Sequence, residues 1–105
     1  MAGYTKVNLK DVDDQAERFG LAPNFRVPFG HRHKRQEEVY VLVNGSARMK
    51  IDDDVIELKQ WDAVRVPSET MRGLEAGPDG AEVIAVGAPN TGPGDAEMEQ
   101  GWWSD

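Results

Sequence analysis

The sequence predicts an all-β chain folded as an antiparallel sandwich or barrel. Three observations carry this reading. Apolar residues recur with a period of two along seven short segments. Clusters of Gly, Pro, Asn and Asp separate those segments. No stretch keeps a convincing 3.6-residue repeat beyond one or two turns at Asp13–Phe19.

The expected strands are Asn24–Phe29, Glu38–Val43, Ser46–Ile51, Val55–Leu58, Ala63–Val66, Thr70–Glu75 and Ala81–Val86. They are rich in Val, Ile, Phe and Tyr, side chains that suit a pleated, half-buried surface. Thr5–Leu9 offers an eighth. Asn44-Gly45 reads as a hairpin turn, because both residue types tolerate positive φ. Asp52-Asp53-Asp54 is a polar corner, and Gly77-Pro78-Asp79-Gly80 a strong loop signal. Met49, Ile51, Ile56, Val64, Val66, Ile84 and Val86 are the expected barrel core. From about Ala88 the alternation stops, and Pro89-Asn90-Thr91-Gly92-Pro93-Gly94 cannot continue a sheet. An acidic tail follows. It ends in Trp102-Trp103, an apolar pair that a merely solvated tail does not need, so the tail is expected to dock.

The length of 105 residues is one domain's worth, with the barrel at about 24–88, an N-terminal arm at 1–23 and the tail at 89–105. There is no Cys, which excludes disulfides and Cys-ligated zinc or iron–sulfur sites. No apolar run approaches the roughly 18 residues of a membrane span, and nothing resembles a signal peptide. The cytoplasm is the expected location. The chain carries 19 acidic and 12 basic residues, a net charge of −7. The last basic residue is Arg72, and the whole excess comes from seven acids beyond it. That balance argues against nucleic acid or an anionic membrane as the main partner, since both are bound through excess Lys and Arg. Arg18, Arg26, Arg32, Lys34 and Arg35 make a local basic stretch, read as a solvated strand end and loop.

The chemistry-bearing segment runs from Gly30 to Gly45. The only two histidines, His31 and His33, are two residues apart. On an extended strand both imidazoles share a face. A carboxylate follows at the start of the next strand. Two imidazoles and one carboxylate, with open positions left over, suit Fe(II), Mn(II), Ni(II), Cu(II) or Zn(II). Glu37 and Glu38 are adjacent and point to opposite faces, so only one of them can join the histidines, and either can be an exposed strand-end charge. No Ser lies in a nucleophile elbow, and there is no phosphate loop.

The spacing His31-x-His33, four residues, Glu38, six residues, Gly45 resembles the first motif of the cupin superfamily. Trp61-Asp62-Ala63-Val64-Arg65-Val66-Pro67 is similar to the start of the family's second motif. The resemblance covers about residues 24–88. It implies a cupin-type double-stranded β-helix, a jelly-roll-like antiparallel barrel with its site in the mouth. It selects Glu38 over Glu37 and implies a metal site on His31, His33 and Glu38. The chain departs from the second motif where a fourth ligand His is usual: Arg72 stands there, and Pro67-Ser68-Glu69 lacks the usual Gly.

Tyr40 and Leu42 share Glu38's parity and should face the interior, with Tyr40 either a core residue or a ligand contact. Arg72 either pairs with Glu38 in place of metal, grips a ligand anion, or faces solvent with Met71 turned inward. If Arg72 faces inward, Leu74 does too, and Met71 points out or toward the sheet edge. The expected function is binding of a small molecule in the barrel with a divalent metal, and, if there is turnover, metal-assisted oxygenation or isomerisation of a small organic substrate. The alternatives are a metal-free ligand-binding or sensing module with a Glu38–Arg72 pair, and a structural dimer scaffold. A homodimer is expected, covering a free sheet edge through Thr5–Leu9 or the Val39/Val41/Val43 face.

Overall fold

The computed structural model describes residues 16–33, 37–87 and 96–103, and of residues 16, 17, 33 and 96 the backbone alone. Thr5–Leu9 lies outside the described residues. Seven strands follow in order: β1 (Ala16–Leu21), β2 (Phe29–His33), β3 (Glu38–Ile51), β4 (Asp54–Leu58), β5 (Ala63–Val66), β6 (Arg72–Gly87) and β7 (Ala96–Gln100). All pairs are antiparallel. No described helix is long and apolar enough to cross a membrane.

The frame is the pairing of the two long strands β3 and β6 along most of their length. The first half of β3 also carries β5, Glu38 opposite Val66, and the second half carries β4, Ala47 opposite Leu58. On its other edge β6 takes β2 at Arg72 and β1 from Ala81 to Val86. One sheet is thereby curled into two facing layers that enclose the interior.

The curl comes from the segment read as a hairpin. Asn44-Gly45 does not reverse the chain: β3 runs straight through it, with register shifts at Leu42/Asn44 and Gly45/Ala47. Gly77–Gly80 likewise lies inside β6 and is not a loop. Gly45 (φ 84°) and Gly80 (φ 78°) both take the left-handed conformation that glycine adopts without strain. A Cβ on Gly45 would collide with the Gly80 carbonyl, so the two strands bend together at one corner. A bulge and a turn use the same residue chemistry, and only the partner strand tells them apart.

Two more segments differ from expectation. Ala16–Phe19 belongs to a strand rather than a helical turn, because the free edge of β6 offers a ladder that local helix propensity cannot match. The segment from Asn24 holds a turn, with Asn24 at φ 61°, and a single bridge from Arg26 to Glu75, so its ladder begins only at Phe29.

The interior is filled at every second residue. Tyr40, Leu42, Met49, Leu58, Val66, Leu74 and Val83 are buried together. Ile51, Ile56 and Val64 pack against them half-buried. Ile84 and Val86, expected in the core, have the opposite parity to Val83 and Ala85 and lie half-buried on the outer face. Met71 is buried rather than outward. It precedes β6, so strand alternation does not govern it, and its N–H donates to Asp52 Oδ1 at 3.2 Å.

The outside of the layer formed by β2, β6 and the second half of β3 is covered by the chain's end. β7 extends the sheet along β2, from Phe29–Gln100 to His33–Ala96. The tail is therefore part of the sheet, although the loop before it reads as an end of structure. Trp103 Nε1 donates to the Val27 carbonyl at 3.0 Å, and the Arg26 guanidinium lies 4.5 Å from its ring centre. Lys50 Nζ sits 4.3 Å from the Trp102 ring centre and donates to the Trp102 carbonyl at 2.7 Å.

Beside them Glu75 accepts from Arg26 Nε at 2.6 Å and from Arg48 Nη2 at 2.6 Å. Burial raises the Glu75 pKa, but the hydrogen bonds and charges of Arg26 and Arg48 outweigh it and leave the pKa below the usual carboxylate value. A depressed folded-state pKa stabilises the fold above the unfolded-state value and loses that contribution as pH falls through the folded-state value. The wild-type protein should thus lose stability through the carboxylate range, and Glu75→Gln should flatten that slope at a cost on the order of 1 kcal/mol at neutral pH. Urea midpoints between pH 7 and pH 3 check this, and parallel profiles for the two proteins would contradict it.

Candidate functional site

Four polar side chains meet in the interior, two from each layer. His31 on β2 and Arg72 on β6 are Cα partners. Glu38 and Tyr40 come from the first half of β3, two residues apart and so on one face. The Tyr40 hydroxyl donates to Glu38 Oε1 at 2.6 Å and lies 3.3 Å from His31 Nε2. His31 Nε2 is 3.5 Å and Arg72 Nη1 3.8 Å from the same carboxylate oxygen.

Arg72 is the deepest of the four, 0% exposed. Its Nη2 donates to the Pro67 carbonyl at 2.8 Å and approaches that of Val66 at 3.4 Å. Among the described residues Nε and Nη1 are buried without a hydrogen-bond partner. Orphaned guanidinium N–H groups of this kind cost on the order of 1–3 kcal/mol each. The nearby Glu38 carboxylate supplies the opposite charge that a buried cation requires.

These groups close one end of a cavity of about 260 Å³. Its other walls are apolar: Phe19 and Leu21 from β1, Val27 and Phe29, Leu74 and Ala85. The arrangement offers an apolar slot with a charged, hydrogen-bonding floor, the usual make-up of a small-molecule site. A wider groove of about 700 Å³ lies elsewhere, beside Ser46, Arg48, Lys59 and Asp62, and shares none of these four residues.

The structure thus brings together His31, Glu38, Tyr40 and Arg72. It sets Glu37 apart, exposed and paired with Arg65 at 2.7 Å. The backbone of His33 pairs with Ala96, and its side chain lies outside the described residues. Among the described residues no group of three His, Cys, Asp or Glu side chains is placed to hold a metal ion. Reading the sequence missed the contribution of β1. Phe19 and Leu21 alternate as Val27, Phe29 and His31 do, and that period of two was the available signal.

No family model matches the chain. A stretch of 45 residues is 31% identical to an uncharacterized protein of Methanocaldococcus jannaschii, and spans 43% of this chain and 36% of that one. Among solved structures, a cupin protein from Bacteroides fragilis is 25% identical with a TM-score of 0.67, over 87% of this chain and 88% of that one. A predicted oxalate decarboxylase from Thermotoga maritima superimposes with a TM-score of 0.65 at 22% identity, over 71% and 65% of the two chains. A TDP-quinovose 3,4-ketoisomerase from Campylobacter jejuni gives 0.67 at 19% identity, over 79% and 68%. The fold is that of the cupin jelly roll.

Proposed function

We propose, with the cupin fold as premise, that this chain binds a small organic molecule in the 260 Å³ cavity and does so without a metal ion. The observation that carries the reading is the fully buried Arg72 set 3.8 Å from Glu38. A permanent cation next to the one described carboxylate of the site already neutralises it. The ligand's apolar body lies against Phe19, Phe29 and Leu74, and its polar end meets His31, Tyr40 and Glu38. A native-state ligand of this kind raises the melting temperature in proportion to its binding, so a screen of small acids, sugars and phenols by melting shift tests the reading. No shift with any of them at millimolar concentration would remove its support.

A divalent ion on His31, His33 and Glu38 is the second reading, favoured by the convergence of His31 Nε2 and Glu38 Oε1 to 3.5 Å. The described donors do not by themselves suit it. Glu38 Oε1 already accepts from Tyr40, and Arg72 would repel a second cation strongly at this range. Elemental analysis of untagged protein should find well under one metal per chain. Arg72→His replaces the cation with a neutral ligand, and should tighten Mn(II) or Zn(II) binding by at least about tenfold. Calorimetric titration of both proteins measures it. Equal affinities would mean that residue 72 does not govern the metal position.

The same proposal includes a homodimer. Val39, Val41 and Val43 form an apolar row on the outer side of β3, half-buried, with Ile84 and Val86 of β6 beside them. Light scattering should give twice the chain mass of 11.6 kDa at micromolar concentration, and a monomer would rule the dimer out.

A further inference from the structure

We infer that the C-terminal Trp102-Trp103 segment is a latch that holds β2 as a wall of the cavity, so that releasing the latch opens the site. The topology makes β2 a poorly anchored strand. Within Phe29–His33 it pairs with β6 at His31–Arg72 and with β7 at five positions, while the chain just ahead of it bonds β6 through Asn24, Phe25 and Val27. β7 in turn touches the rest of the barrel through the residues that follow it.

Trp102 makes that attachment from outside. Its ring rests on Gly30 of β2 and Gly73 of β6 at once, filling the space where a Cβ on either glycine would stand. A Cβ on Gly30 would come 2.6 Å from the Trp102 ring, and one on Gly73 3.0 Å. Lys50 fixes the same residue from β3, through the ring face and the carbonyl. Trp103 Nε1 holds the Val27 carbonyl, just ahead of β2. Every one of these contacts lies on the outer face, while Phe29 and His31 turn into the cavity from the same strand. The latch therefore sets the position of the inner wall without touching what the cavity holds.

Regions held by few contacts open locally while the rest of a domain stays closed. Hydrogen exchange read by NMR tests the coupling with no ligand present, so its outcome is independent of whether the cavity binds one. Trp102→Ala removes the latch. Gly30→Ala displaces it without altering any latch residue. Both variants should speed exchange at residues 29–33 by at least about tenfold over that at residues 40–42 and 83–85. Both should also shift the His31 imidazole resonances. The double variant should exchange no faster than the more affected single one, because both changes break the same contact.

The proposal is overturned if β2 exchange or the His31 resonances do not change, if all strands accelerate equally, or if the two effects multiply. Should Trp102→Ala or Gly30→Ala fail to fold, Trp103→Phe keeps an aromatic ring beside Arg26 and Arg48 and removes the hydrogen bond to Val27. It should accelerate exchange at residues 29–31 alone, and unchanged exchange there overturns the latch equally.

Discussion

Arg72→Met should lower stability by about 3–5 kcal/mol at neutral pH, the range for stripping one partner from a buried ion pair. Two effects oppose each other at this position. Methionine relieves the orphaned Nε and Nη1, which is worth a few kcal/mol at most. It also takes the neighbouring guanidinium from the largely buried Glu38 carboxylate, and loses the bond to the Pro67 carbonyl. The second effect should prevail, because taking an opposite charge from a largely buried carboxylate costs more than an unpaired N–H. The double variant Arg72→Met/Glu38→Gln removes both charges and should recover most of the loss. Chemical denaturation of the four proteins in the cycle measures this. A double variant as unstable as the sum of the singles would show that Glu38 and Arg72 do not act as a pair.

Deleting residues 95–105 should lower the melting temperature by about 5–15 °C. Two half-buried indoles contribute roughly 2–4 kcal/mol of apolar burial. The β2–β7 ladder and the contacts of Lys50 and Arg26 with the two rings oppose the entropy cost of ordering the strand and its turn. A net loss of about 2 kcal/mol in a domain of this length gives the stated shift. Scanning calorimetry of the shortened chain checks it, and an unchanged transition would mean that the tail adds nothing to the fold.

Most of the strand content was legible in the sequence because period-two alternation is written wherever one face is buried. The barrel type was legible only through the spacing from His31 to Gly45, which carries the resemblance. What could not be read were features decided by a distant partner. Gly45 and Gly80 carry the chemistry of turns, yet each lies in a strand that continues, since the other strand bends beside it. Phe19 looked like part of an arm because nothing local reveals that Val83 will lie opposite it. Arg72 could be aligned with a ligand position from Pro67, but its depth depends on carbonyls at 66 and 67 that turn toward it only in the folded chain.

The placement of β2 also has a consequence for how the protein comes into being on the ribosome. β2 is complete when a third of the chain has been made, but its partners are Arg72 and the strand ending at Gln100. A nascent chain can close β3 on β4 and β5 as soon as those neighbours emerge, at small loop-closure cost. It cannot complete the β2 ladder beside His31 until residues 96–100 have been made. The wall of the pocket that carries His31 is thus completed after the β3–β6 frame, and a chain halted before residue 96 would carry that frame with β2 lacking its β7 partner.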